Sequence, residues 1–252
     1  MDLPQHLDAE HLTRFAQVMY LLKDESYENI WWRIENRVHE LAEQGDSLDV
    51  YHLANILRSF SKSQHNRMAG SDKLFVHLEP KIIQNMDKFS SRDLGHILYA
   101  YSVRAAGNPE LYKAFDKRLE QLADSEDMWD FLTLHNVLYY MMFRGNTNKK
   151  IWANIIESTL FQDDTLPIVY YKPFKFSKTF LKAHFPEWDI GEYIDRFYYA
   201  EQYFNQVQLD DYLTSDRKYF EMKCFLNQKC LVYPIVFMTL ENLYNLHYVF
   251  HD

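Results

Sequence analysis

The sequence predicts an all-α fold: an α-solenoid of stacked helical hairpins followed by a divergent helical C-terminal segment. The first observation behind this is an apolar triplet at i, i+3, i+4 that occurs four times, as Phe15-Val18-Met19, Leu53-Ile56-Leu57, Leu94-Ile97-Leu98 and Leu134-Val137-Leu138. The second is an aliphatic–aromatic doublet with an apolar residue three further on, as Ile30-Trp31-Ile34, Leu74-Phe75-Leu78, Leu111-Tyr112-Phe115 and Ile151-Trp152-Ile155. The triplets recur at spacings of 38, 41 and 40, and the aromatics at 44, 37 and 40. The third is the position of the helix breakers: Gly70, Gly107-Asn108-Pro109 and Gly145-Asn146-Thr147 each fall between the two patterns of a unit. Two helix-length patterns alternating at one period of about 40 residues mark a helical-repeat array, because a lone hairpin cannot bury its apolar face and must stack on its neighbours.

Taken in order, the first unit covers about residues 9–44 and ends in the turn Gly45-Asp46-Ser47. The second begins at Leu48 and carries a long inter-helix loop over 62–72, with Ser71 or Asp72 placed to cap the helix behind it. The third starts at Ser90-Ser91, and Pro109 stands at the first turn of its second helix, where a missing N–H does no harm. The fourth starts near Asp127. Beyond Phe161 the pattern changes. Residues 162–167 read as a linker, 168–171 as a short strand or extended arm, and 176–184 and 190–204 as helices, with Trp188 standing close to one repeat length past Trp152. The expected domains are therefore a solenoid of about four hairpins over 1–160 and a divergent segment over 161–252, a degenerate fifth repeat plus a cap.

Composition narrows the function classes. Gly 6 and Pro 7 in 252 residues favour helices over turn-rich β architecture. The net charge of −9 is uneven: residues 1–50 carry 4 basic and 11 acidic side chains, whereas 51–100 carry 7 and 4. A nucleic-acid binder needs a basic face to neutralise phosphates, and none is evident over the chain as a whole, 51–100 being the one positive stretch. The acidic N-terminal stretch up to Tyr20 is neither a secretory signal nor an Arg-rich transit peptide, and the longest apolar run, 230–238, is too short to span a bilayer. The expectation is a soluble intracellular protein. Cys224 and Cys230 lack partners at metal-ligand spacing and read as free thiols, and His247 and His251 alone make an incomplete zinc site. No phosphate loop, dinucleotide fingerprint, nucleophile elbow or His-Glu-x-x-His string is present, so no enzyme and no cofactor is expected.

The string from Ser91 to Tyr101, followed by Leu111-Tyr112-Lys113-Ala114-Phe115, resembles the helical repeats of the FAST-kinase-domain and octotricopeptide proteins. Leu53-Ala54-Asn55-Ile56-Leu57 with Leu74-Phe75 is similar to a second copy, and Pro186-Glu187-Trp188 to the group's proline-and-tryptophan motif. The resemblance covers residues 9–160 and implies an organellar, mitochondrial setting and, in many members, RNA binding or processing.

Two functions follow as expectations. The favoured one is a non-enzymatic structural or assembly subunit of a larger complex, in contact with other protein subunits through its solenoid surface. Aromatic content of 17 % exceeds what a thin two-layer core needs, and Tyr233, Phe237, Tyr244, Tyr248 and Phe250 are the candidate partner interface. The alternative is an organellar RNA-binding factor using Arg58, Lys62, Arg104 and Arg144 as a phosphate-contacting edge. Cations at the ends of first helices are more simply explained by the helix macrodipole. The series Trp31, Phe75, Tyr112, Trp152 reads as core packing rather than base stacking, since each ring shares a helical face with an apolar residue three positions on.

Overall fold

A computed structural model describes residues 7–21, 28–45, 48–61, 63–64, 67–68, 70–125, 128–162 and 171–196. Among them the protein is built of helices: α1 (Ala9–Leu21), α2 (Glu28–Glu43), α3 (Val50–Ser61), α4 (Asp72–Gln84), α5 (Ser91–Arg104), α6 (Pro109–Ala123), α7 (Phe131–Arg144), α8 (Lys149–Phe161), α9 (Tyr171–His184) and α10 (Gly191–Asp195). A single 3-10 turn at Met86–Lys88 follows α4, and the α3–α4 loop holds a two-residue antiparallel ladder, Ser63–Gln64 against Arg67–Met68. The chain divides into two compact units, residues 1–127 and 128–252.

The odd-numbered helices α1, α3, α5 and α7 all start on one device. Asp8 Oδ1 accepts from His11 N, Asp49 Oδ1 from His52 N, Ser90 Oγ from Asp93 N and Asp130 Oδ1 from Thr133 N, so each residue caps its helix three positions on. An apolar residue precedes each cap (Leu7, Leu48, Phe89, Trp129) and a leucine stands four after it (Leu12, Leu53, Leu94, Leu134), the spacing of a hydrophobic staple. All four leucines are fully buried. The caps Asp8, Asp49, Ser90 and Asp130 recur at spacings of 41, 41 and 40, a tighter period than the triplets gave.

That regularity corrects the register of the first unit. The buried face of α1 is Leu12, Thr13, Ala16 and Met19, whereas Phe15 is half-buried and Val18 is 51 % exposed. The true counterpart of Leu53-Ile56-Leu57 is Leu12-Phe15-Ala16. In the even-numbered helices the expected register holds: Trp31, Phe75, Tyr112 and Trp152 are buried with Ile34, Leu78, Phe115 and Ile155.

The turn joining the two helices of a hairpin is also repeated. Ser71, Asn108 and Asn148 stand at the N-caps of α4, α6 and α8, each four residues before the buried ring. Tyr112 Oη donates to the Ala106 carbonyl and Trp152 Nε1 to the Asn146 carbonyl at 2.8 Å, in both cases six residues back. The ring thus fills the core while its polar tip fixes the turn. Gly70 and Gly107, each five residues before the ring, have φ of +64° and +108°. A Cβ on Gly70 would stand 2.5 Å from Phe60 Cε1 and 2.7 Å from Glu35 Oε2, so both backbone geometry and space demand glycine there.

Within the first unit α3 packs between α1 and α5, while α4 packs on α2 and α6, which makes two rows of helices with the core between them. Within the second, α7 packs on α8 and α9, and α10 on α8. The pair α9–α10 therefore lies on α7–α8 as one hairpin on the next. Tyr171, read as the end of an arm, opens α9, and residues 168–170 lie outside the described residues. The ring that enters the core of α10 is Tyr193, one repeat length past Trp152 and bonded through its hydroxyl to Ser177 Oγ at 2.6 Å. Trp188 instead stacks on Phe185 in the preceding turn, at 4.6 Å between centroids.

Candidate functional site

The chemistry of the described residues is concentrated where one hairpin meets the next. Three junctions inside the units begin with an aromatic contact between the ring of one hairpin's second helix and a ring on the following first helix. Trp31 meets Phe60 edge-on at 4.9 Å, Phe75 meets Tyr101 edge-on at 5.1 Å, and Trp152 stacks on Phe180 at 5.1 Å. Such pairs contribute roughly 0.5–1.5 kcal/mol each beyond their buried area.

Four residues after the ring stands a carboxylate, Glu35 in α2 and Glu79 in α4, 3 % and 4 % exposed. Each reaches the start of the next even-numbered helix. Glu35 Oε2 accepts from the Ser71 backbone N–H at 2.8 Å and its Oε1 accepts from the Ser71 hydroxyl, which explains why that hydroxyl does not cap its own helix. Glu79 Oε2 accepts from the Asn108 side-chain amide. A buried acid at the positive end of a helix is favourably placed against the macrodipole. Along the first helices a polar ladder runs in step: Gln17 Nε2 donates to Asn55 Oδ1 at 3.0 Å and Arg58 Nη1 to His96 Nε2 at 2.6 Å, both across 38 residues.

Burial pushes the Glu79 carboxyl above its usual range, and the hydrogen bond from Asn108 only partly offsets that. Burial, reinforced by Glu79 and then Tyr112, also holds the Tyr101 phenol well above its usual value. The native state thus binds more protons at Glu79 than the unfolded chain does, so its contribution to stability falls as pH rises from the ordinary carboxylate range through the raised value. Glu79→Gln keeps an acceptor for Asn108 and removes the charge. Its stability relative to the parent is expected to improve between pH 4 and 7 in paired urea titrations, and a difference independent of pH would sink this reading.

The sequence-derived sites fare unevenly. Arg104 does not line an exposed edge. Its guanidinium is buried, with Nη2 and Nε donating to the Phe60 carbonyl at 2.9 and 3.3 Å, Nη1 paired with Asp72 Oδ1 at 3.1 Å, and the group lying 5.0 Å over the Phe75 ring. Arg58 is half-buried and bound to His96, and Arg144 is exposed in the last turn of α7. Lys62 and the proposed interface residues Tyr233, Phe237, Tyr244, Tyr248 and Phe250 lie outside the described residues, as do both cysteines, His247 and His251. Among the described residues no three or more His, Cys, Asp or Glu side chains are grouped to hold a metal, and no helix is long and apolar enough to cross a membrane.

Of the exposed apolar residues that escaped the sequence reading, two stand at matching repeat positions. Trp32 on α2 and Val76 on α4 are 47 % and 60 % exposed and occupy the same repeat position, one residue past the buried ring, on helices that pack together. Their signal was the doubled Trp31-Trp32, of which only one member can face the core. No protein-family model matches this sequence, and no curated protein matches it.

Proposed function

We propose that this protein is a non-enzymatic α-solenoid that serves as a structural or assembly subunit, with its hairpin rows as the docking surface for other proteins. The observation that carries the reading is the recurrence of Trp32 and Val76. Trp32 and Val76 leave large apolar side chains in solvent at one repeat position of the packed helices α2 and α4, surface that folding does not use, and exposed apolar surface marks interaction sites. The repeated junctions support it, since ring, acid and cap recur at matching positions and stack hairpins in register. The RNA-binding alternative has lost Arg104 as an accessible contact, and Arg58 already serves a neighbouring repeat. The resemblance of the repeats to organellar proteins extends the proposal to a mitochondrial complex, which fractionation of the tagged protein tests.

The decisive experiment is gentle purification of the tagged full chain from its native cells, followed by native mass measurement. A defined complex well above the mass of one chain is expected, and Trp32→Asp combined with Val76→Asp is expected to release the partners while leaving the melting curve near that of the parent. A stable monomer with no stoichiometric partner overturns the subunit reading. Retention on single-stranded RNA that weakens steeply with salt would favour the alternative.

A further inference from the structure

One face of the first unit is open where the interior copies of the same face are closed. Counting from the buried leucine of each first helix, the position two residues on holds Asn55 in α3 and His96 in α5, both buried, but Arg14 in α1, whose side chain is 72 % exposed. Three residues on, Ile56 and Ile97 are buried and Phe15 is only half-buried. Six residues on, Ser59 and Ala100 are buried and Val18 is exposed. The second helices agree: Leu74 and Leu111 are fully buried, while Ile30 at the matching position of α2 is half-buried. In α3 and α5 these positions are covered by the preceding first helix, α1 and α3 respectively, and in α4 and α6 by α2 and α4. A terminal repeat that ended a stack would be expected to turn a polar face outward. Arg14 does so, but Val18 stands exposed beside it and Phe15 and Ile30 are only half covered.

We propose that the outer face of α1, with the start of α2, is a docking site for a helical hairpin of a partner chain that seats as one repeat seats on the next. The interior junctions define what that hairpin carries. There, the residue two past the leucine receives a hydrogen bond from the preceding first helix, Asn55 from Gln17 and His96 from Arg58. At the open face this position is Arg14, which has only donors to offer. The incoming helix therefore presents a carboxylate or carboxamide oxygen at its equivalent of Gln17. Arg14 now pairs with Glu10 Oε1 at 2.6 Å across one helical turn, an exposed pair that solvent screens and that is readily exchanged for a partner's acid. A specific interface needs roughly 1,000 Å² or more, so both helices of the hairpin engage, one on Arg14, Phe15 and Val18 and the other on Ile30.

The inference rests on the stacked-repeat reading and deepens it by naming a surface and a partner chemistry. The test is built from the protein's own repeat. A copy of residues 49–88 is fused directly ahead of Leu7 of the chain, so that its cap precedes Asp8 by the same spacing at which Asp8 precedes Asp49. The copy carries Arg58→Glu, which sets an acid at the position that addresses Arg14. Accessibility is read by site-resolved thiol labelling of Val18→Cys, with the chain lacking the added hairpin as reference. Labelling about tenfold slower in the fusion is expected, since a seated hairpin exposes residue 18 only by local opening. The protection is expected to vanish when the copy keeps Arg58 and to return when that copy is combined with Arg14→Glu. If Val18 is too large for a hairpin that normally covers Ala100, the same fusions carrying Val18→Ala, labelled at Phe15→Cys, report seating without the clash. Equal labelling with and without the hairpin at both positions overturns the proposal, as does protection indifferent to the charge swap. Dimerisation of the unfused chain that shields residue 18 overturns it too, because the occupant is then a second copy. None of these outcomes depends on the partners released by Trp32 and Val76 variants, so the two readings fail separately.

Discussion

Arg104→Ala is expected to lower the stability of the first unit by about 1–3 kcal/mol, the cost of leaving the Phe60 carbonyl buried without its donor, whereas Asp72, 71 % exposed, simply returns to water. The guanidinium closes three contacts at once. It satisfies the Phe60 carbonyl near the C-terminal end of α3, holds Asp72 in the first turn of α4, and covers the Phe75 ring. Burial pulls its pKa below the ordinary arginine value, with Asp72 acting in the opposite direction, and the buried cation is accommodated because its donors are met. With alanine there, the carbonyl is left buried and unpaired and a void opens against Phe75. Arg104→Lys is expected to recover only part of the loss, since a point charge cannot serve a carbonyl and a carboxylate with one planar fork. Urea unfolding followed by hydrogen exchange in α3 and α4 measures both, and a melt unchanged by the alanine variant would refute the account. Any loss of RNA retention in that variant would report a damaged fold and not a missing phosphate contact.

The second large effect belongs to the other unit. Trp152→Ala is expected to destabilise it by about 3–5 kcal/mol through lost burial and a residual cavity. The indole is fully buried, stacks on Phe180 of α9, and donates to the Asn146 carbonyl in the turn between α7 and α8. Trp152→Phe separates these roles. It keeps a ring against Phe180 and removes the donor, so a loss nearer about 1–2 kcal/mol is expected, most of it the unpaired turn carbonyl. Amide exchange resolved to α8 and α9 is the suitable readout, because two compact units need not unfold in one step. Equal destabilisation by Phe and Ala would show that the turn hydrogen bond, and not the packing, dominates.

What could be read from the sequence depended on whether a residue obeys its own helix or its neighbour. Trp31, Phe75, Tyr112 and Trp152 were legible because each sits on an apolar face of period 3.6 that packs inward in every copy. The first unit was misphased because Phe15, Val18 and Met19 satisfy the same spacing by accident, although only Met19 is buried in α1. The string Leu7-Asp8-Ala9-Glu10-His11-Leu12, which returns as Leu48-Asp49-Val50-Tyr51-His52-Leu53, carried the correct phase. Glu35, Glu79 and Arg104 were not legible in this way. A charged residue is buried only when a partner about 30–45 positions away meets it, and helical periodicity holds no record of that partner. Arg104 looked like any cation closing a helix. The aromatic residues 233–250 chosen as a partner interface lie beyond the described residues, whereas two of the exposed apolar residues that are described, Trp32 and Val76, sit one residue past rings the periodicity had found.

The reach of these cross-repeat bonds has a kinetic consequence. Gln17–Asn55, Arg58–His96, Glu35–Ser71, Glu79–Asn108 and Arg104–Phe60 span 38, 38, 36, 29 and 44 residues, each bridging a hairpin to the one beside it. Closing such a loop is an entropic step of nearly constant size, because the penalty grows only with the logarithm of its length. Ordering within the first unit therefore advances one hairpin at a time, as a zipper does, with each of its two closures rewarded by a ring contact and an acid-to-cap bond. The chain can order from whichever hairpin forms first, without waiting for distant segments to find each other, and it frays from an end when a terminal junction is weakened.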